Sequence, residues 1–290
     1  MTNDVLERAY ECVRALYREE QLTAGLLRKV AIKAQWNVVL ATEGQAGMAL
    51  NFTGLHSVGD LQQSDDMPAE IGALVGRPLT ALVEAYLHRE DVHRRAICLA
   101  ALNALSQPLF ARDRLARAGF SCRAGDLAGL VRPTDVVTVV GYGGLVRQFL
   151  GRCRELHVTE LRPSHVFETT VIGEHIEIGP RDVVVHPAED NEPLMARSDV
   201  VLITGSTLVN GTFDELVPYA AKARVRAIYG PSAQLPPEFF FSHGLNLVRA
   251  MTIGPLEKFE YDMINDLDME VALRCNQSMW EITREPIPQT

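Results

Sequence analysis

The sequence has no Cys-x-x-Cys pair and no His-Glu-x-x-His segment. Its five cysteines, Cys12, Cys98, Cys122, Cys153 and Cys275, stand far apart and are odd in number. That spacing argues against a disulfide framework or a compact zinc motif, and buried or half-buried free thiols are expected. No apolar run approaches the ~18 residues needed to span a bilayer. Basic clusters are also missing. With 28 Lys and Arg against 37 Asp and Glu the formal net charge is −9, so neither nucleic acid nor a membrane surface is an expected partner. The opening stretch MTNDVLERAYECVRALYREE lacks the apolar core of a signal peptide and is too acidic for a transit peptide, so a cytoplasmic location is expected. There is no Gly-x-Ser-x-Gly elbow, and Ser206 has no assignable histidine partner.

What is present is an ordinary globular composition, 47% hydrophobic and 22% charged over 290 residues. Two domains are expected, 1–112 and 113–290. In the first, Val5, Leu6, Ala9, Cys12, Val13, Leu16 and Tyr17 recur at helical spacing behind a capping Asn3 or Asp4. WNVVLA (36–41) and GMALNF (47–52) read as strands of a hairpin, and residues 25–34 as an earlier strand. Residues 79–86 and 92–105 read as helices, the second stopping before Pro108. Asn103 lies in its apolar part, where a buried amide must bond backbone, side chain or ligand. Between hairpin and helices runs a polar loop, 53–68, with His56, Asp60, Asp65 and Asp66. A solvated surface and a metal-binding loop both fit it.

In the second part, short β-branched runs alternate with helical patterns, which signals a parallel sheet with helical crossovers. Strands are predicted at 136–140, 156–160, 183–186, 200–204, 225–229 and 245–251. Helices are predicted at 145–154, 192–197, 213–223, 237–242, from 255 onward, and at 269–284 as a closing element. In such sheets ligands bind beyond the carboxyl ends of the strands. Four of those ends carry the chemistry. Gly141-Tyr142-Gly143-Gly144 follows the first strand, an incomplete dinucleotide fingerprint whose sixth position is Val146 rather than glycine. Glu160 stands nineteen residues beyond Gly141 (160 − 141 = 19), close to the spacing at which an acid meets a ribose hydroxyl; a solvated or capping carboxylate fits equally. The densest signal is VVLITGSTLVNGT. There Thr204, Gly205, Ser206, Thr207 and Asn210 gather hydroxyls and an amide suited to recognising carboxylate, phosphate or polar ring atoms. Turn and N-cap duties are the competing use. Gly230-Pro231 forms a third tight exit.

TGSTLVNGT followed by GPSAQLPPEFFFSHGLN, with VVGYGG and Glu160 before it, resembles the family called putative heavy-metal chelation proteins. The WNVVLATEG hairpin and AALNALSQP helix look like that family's other half. The resemblance implies an α/β protein in which a small α+β enolase-N-terminal-like domain precedes a Rossmann-like domain with a mainly parallel sheet. It implies a cleft between them, and condensation or hydrolysis of pterin-, flavin- or siderophore-like molecules linked to metal chelation. Carried over residue by residue, the cleft positions are Gly141, Gly143, Glu160, Thr204, Gly205, Thr207, Asn210, Gly230 and Pro231, with Asn103 from the other half.

The expected function is therefore small-molecule binding in that cleft, as an enzyme acting on a polar, metal-chelating metabolite. A non-catalytic carrier of a metal complex and an S-adenosylmethionine- or NAD-dependent enzyme are the alternatives. The cofactor stays open between none, S-adenosylmethionine and a metal ion, and a homo-oligomer stays open as the assembly.

Overall fold

The computed structural model describes residues 4–33, 35–52, 66–162, 170–172, 176–178, 183–265 and 277–284. Helix α1 (Val5–Glu19) is capped by Asp4, whose Oδ1 accepts from the Leu6 amide at 2.9 Å. Its stripe of Val5, Leu6, Ala9, Val13 and Leu16 is buried, as a 3.6-residue period requires. Strands β1 (Leu27–Ile32), β2 (Trp36–Ala41) and β3 (Ala46–Leu50) form an antiparallel sheet in that order. The predicted turn joins β2 to β3, with Glu43 and Gly44 both at positive φ. Helices α2 (Met67–Gly72), α3 (Leu79–Tyr86), α4 (Val92–Ser106) and α5 (Arg112–Arg117) follow.

Helix α4 is buried along nearly its whole length, and it lies on β2 and β3. Gly47 makes the approach to β3 close. A side-chain carbon at that position would collide with the Ala100 carbonyl and the Ala104 amide nitrogen.

The larger sheet begins with β4 (Ser121–Arg123), β5 (Val136–Val140) and β6 (Glu155–Glu160). A separate ribbon, β7 (Thr170–Ile172) with β8 (Ile176–Ile178), precedes β9 (Val184–Pro187). Then come α6 (Asn191–Ala196), β10 (Val200–Thr204), α7 (Thr207–Asn210), α8 (Phe213–Tyr219), β11 (Val225–Tyr229) and α9 (Pro237–Ser242). The described chain closes with β12 (Leu247–Ile253), α10 (Leu256–Ile264) and β13 (Gln277–Thr283). Its strand order is β4-β13-β12-β11-β10-β5-β6-β9, parallel from β12 to β9 and antiparallel at β12–β13–β4. Helices flank it, so the central runs VVTVV and VVLIT are buried almost throughout, as parallel strands covered on both faces should be.

Two predicted helices are corrected. Residues 277–283 do not close the chain as a helix: they form β13, paired antiparallel along β12 from Val248↔Ile282 to Ile253↔Gln277. Alternation explains it, since Met279 lines a cavity and Ile282 enters the core. Residues 269–276 lie outside the described residues. The stretch 145–154 holds only a 3-10 turn, Val146–Phe149; Leu150 is already extended and Gly151 has φ +69°. Farther on, Gly211 at φ +80° ends the single turn of α7, so the helix predicted from Phe213 is a separate element.

The largest apolar cluster runs from Leu6 and Leu102 through Ile203 and Phe240. No helix among the described residues is long and apolar enough to cross a membrane. Cys12, Cys98, Cys122 and Cys153 are free thiols, and full burial pushes Cys98 up to about 12. Cys275 lies outside the described residues.

Candidate ligand cleft

After the edge strand β4, the chain enters the parallel part of the large sheet at β5. It builds outward through β6 and β9 on one side, then returns to add β10, β11 and β12 on the other. Neighbours β5 and β10 thus send their connections in opposite directions, which leaves a crevice at their carboxyl ends. A cavity of about 930 Å³ opens there. The exits of β5, β6, β9, β10 and β11 all contribute to it, through Gly141, Glu160, Ala188, Thr204 and Gly230.

Two further walls close the space. From the small sheet come Gln35, Trp36, Leu50 and Phe52. The other wall is β12–β13. Strand β11 pairs with β12 only at Ala227↔Leu247 and Ile228↔Val248, so β12 runs on past the sheet's edge with β13 alone. Arg249, Met251, Gln277 and Met279 line the cavity from that extension.

The glycine turn is held by its neighbours. Gly141 has φ +91°, and a side-chain carbon there would lie 3.0 Å from Thr204 Cγ2. The Tyr229 hydroxyl sits 3.0 Å from the Val140 carbonyl oxygen and 2.9 Å from that of Gly141. Burial first, then the Glu160 charge, pushes the Tyr229 phenol well above its ordinary value, so it stays protonated and donates to that turn.

Glu160 is the second fastening. Its Oε1 accepts from the Leu161 and Arg162 amides at 2.8 and 3.1 Å. Its Oε2 accepts from the Tyr142 amide at 2.9 Å and Arg162 Nη2 at 2.8 Å. Each oxygen already accepts two hydrogen bonds, so the carboxylate pins the glycine turn rather than waiting for a ribose hydroxyl. The nucleotide geometry is further weakened because no α-helix follows Gly144. The aligned amides that would face a pyrophosphate are therefore lacking at that turn.

Of the residues picked out in the sequence, Gly141, Gly143, Gly144, Glu160, Thr204, Ser206, Thr207, Asn210, Gly230 and Pro231 line the same cavity. Two do not. Gly205 is packed against Ser232 and Ala233, with no room for a side-chain carbon. Asn103 is fully buried beneath the floor, and its Nδ2 donates to the Met48 carbonyl at 2.7 Å and the Ser232 carbonyl at 3.1 Å. Ser232 Oγ in turn accepts from the Leu50 amide at 3.0 Å, so this pair ties the small sheet to the Gly230 loop.

Much of the hydroxyl chemistry is spent locally. Thr207 Oγ1 donates to the Thr204 carbonyl at 2.7 Å, and Ser206 Oγ to Thr204 Oγ1 at 3.2 Å. Asn210 Oδ1 accepts from the Thr212 amide and hydroxyl at 3.1 and 2.8 Å. Other groups remain unspent. Thr159 Oγ1 and Asn191 Oδ1 are buried with no hydrogen-bond partner among the described residues, and both residues line the cavity. A buried polar group left so costs roughly 1–3 kcal/mol.

The sequence reading missed Tyr229, Arg162, Arg249, Thr159 and the Trp36–Phe52 wall. Tyr229 and Arg249 looked like strand residues, and only the unequal lengths of β11 and β12 bring Arg249 to the cleft. No histidine, cysteine or lysine is among its described lining residues. Nor does any group of three or more His, Cys, Asp or Glu among the described residues form a metal-holding cluster. His56, Asp60 and Asp65 lie outside the described residues, and Asp66 stands at the start of α2.

Residues 17–106 match one family model and residues 126–260 another, and both carry the description putative heavy-metal chelation. The chain belongs to that family. Solved structures of its members carry the same fold. The chain superposes on a protein of unknown function of this family from Pyrococcus horikoshii with TM-score 0.70 at 18% identity, covering 96% of this chain and 99% of that one. A family member of unknown function from Desulfitobacterium hafniense gives TM-score 0.67 at 18% identity, covering 94% and 98%. An uncharacterized protein of Methanocaldococcus jannaschii is 25% identical over 173 residues, and that match spans 58% of each chain.

Proposed function

We propose that this protein recognises a polar small molecule of the metal-chelating class, pterin- or siderophore-like, in the cleft at the carboxyl ends of β5, β6, β10 and β11. The observation that carries this is the pairing of a cavity of about 930 Å³ with buried groups, Thr159 Oγ1 and Asn191 Oδ1, that have no hydrogen-bond partner among the described residues. That volume suits a ligand of metabolite size. The described wall offers hydroxyls, amides, guanidinium groups and the carboxylates of Glu160, Glu189 and Glu215, and these carboxylates do not gather into a metal-holding cluster among the described residues. Such a set reads the outer atoms of a chelator rather than building a closed metal site. The metal, where one is carried, is cargo of the bound molecule. Condensation or hydrolysis of the ligand is the finer reading drawn from the family likeness.

Native mass spectrometry of freshly purified protein tests it. The wild-type chain should carry a non-covalent adduct of metabolite size. The variant Gly143→Trp, placed where a side chain meets only open space, should lose it while keeping its fold. A bare wild-type chain, or an adduct that Gly143→Trp retains, overturns the reading. Following the adduct's mass after incubation separates turnover from carriage.

A further inference from the structure

We propose that Arg249 anchors an anion subsite in this cleft, so that the bound molecule presents a carboxylate or phosphate group to the β12–β13 wall. The proposal rests on the cleft being a ligand site and names the charge its ligand carries there.

The arrangement is a row across three strands. Arg249 of β12 is the register partner of Glu281 of β13, and Glu281 is the partner of Arg123 of β4. Glu281 is only 1% exposed. Its Oε2 takes a 2.9 Å bond from Arg123 Nε, whereas Arg249 Nη1 stands 3.7 Å from Oε1. Arg123 is thus the close partner, and Arg249 is held more loosely. Two guanidinium groups flank a single carboxylate, so the row keeps one positive charge (2 − 1 = +1).

That surplus charge faces the cleft, because Arg249 is the member of the row that lines it. Nη1 also donates to the Gly125 carbonyl at 3.4 Å. Nε and Nη2 have no protein hydrogen bond among the described residues. A planar guanidinium with donors to spare, fixed through one nitrogen, matches the two oxygens of a carboxylate or phosphate. The backing is close-fitted: a side-chain carbon at Gly125 would run into the Glu281 carboxylate. Met251 and Met279 flank the position with apolar surface, which strengthens a charge pair formed against it. Glu189 and Glu215 line the cavity as well, so the anionic end of the ligand is assigned to the β12–β13 side.

Isothermal titration with citrate and with inorganic phosphate tests the subsite, using wild type, Arg249→Gln, the double variant Arg249→Met/Glu281→Met, and Gly143→Trp. The double variant leaves no buried carboxylate opposite a lost cation, which guards against a variant that merely unfolds; thermal melts report that directly. The expected result is that one probe binds wild type and weakens at least tenfold in both Arg249 variants and in Gly143→Trp. Citrate alone binding would assign a carboxylate, and phosphate alone a phosphoryl group. Equal affinity in wild type and the folded Arg249 variants overturns the subsite, as does binding of neither probe to wild type. The two readings fail separately. A native adduct lost in Gly143→Trp but unchanged in the Arg249 variants sinks the subsite and spares the cleft. An adduct that survives Gly143→Trp sinks the cleft itself.

Discussion

Arg249 and Glu281 face each other across the antiparallel pair β12–β13, their Nη1 and Oε1 atoms 3.7 Å apart, with Glu281 almost wholly buried. Removing the cation leaves a desolvated carboxylate with Arg123 as its remaining charged partner. Arg249→Ala should therefore destabilise the fold, by less than the roughly 3–5 kcal/mol of a buried charge left wholly unpaired, because Arg123 still compensates Glu281. Replacing both residues by Met should cost clearly less. Urea unfolding of the single and double variants measures the difference, and equal costs would show that the pair contributes little.

Asn103 secures the floor beneath the cleft. Its amide bridges the Met48 and Ser232 carbonyls from inside α4, at 0% exposure. Asn103→Leu keeps the volume but strips both carbonyls of their donor. A loss of about 2–3 kcal/mol is expected, and faster amide exchange should appear at residues 230–234. Unchanged exchange there would mean that the bridge does not brace the loop.

Two glycines should respond in opposite ways to the same change. Gly47→Ala drives a methyl into the α4 backbone, which cannot yield as a side chain would, and should destabilise by roughly 1–3 kcal/mol or more. Gly143→Ala adds a methyl to open space and should be close to neutral. Thermal melts of the two variants, side by side, check the contrast.

Glu70 should be one source of acid sensitivity. Arg94 grips both carboxylate oxygens at 3.0 Å, and this bond above all holds the Glu70 carboxyl below its ordinary value. A folded value below the unfolded one, which is about 4.3, means that the native state resists the proton. The contribution is complete above the unfolded value and disappears as pH falls through the folded one. Glu70→Gln should thus be less stable than wild type at pH 7, with the gap closing in acid. Denaturation midpoints from pH 7 down to about 3 follow it; a gap independent of pH would exclude the mechanism.

The strand ends were legible because they are local. VVTVV-GYGG and VVLIT-GST each combine a buried β-branched run with a turn opened by a glycine, Gly141 or Gly205, that a side chain would crowd, and both exits line the cavity. Asn103 was legible as a buried amide needing partners, but not as a bond to Ser232, 129 positions away in the chain. Glu160 sat at a ribose-like spacing, yet its oxygens are taken by amides of its own turn and of the glycine turn, a competition that spacing does not reveal. The 269–284 stretch read as a helix because its local pattern is ambiguous. Only the exposed edge of β12 gives residues 277–283 a partner that makes them a strand.

Periodicity and turn chemistry alone therefore determined an α/β chain, its central strands and the set of small polar residues at their carboxyl ends. Those features depend on which neighbours in sequence can share one backbone geometry. Tertiary structure decided what closes the crevice: β12 outrunning β11, β13 docking beside it, and the hairpin wall carrying Trp36 and Phe52. Contacts between residues far apart in the chain depend on how whole surfaces fit together, and no short stretch of sequence encodes that fit.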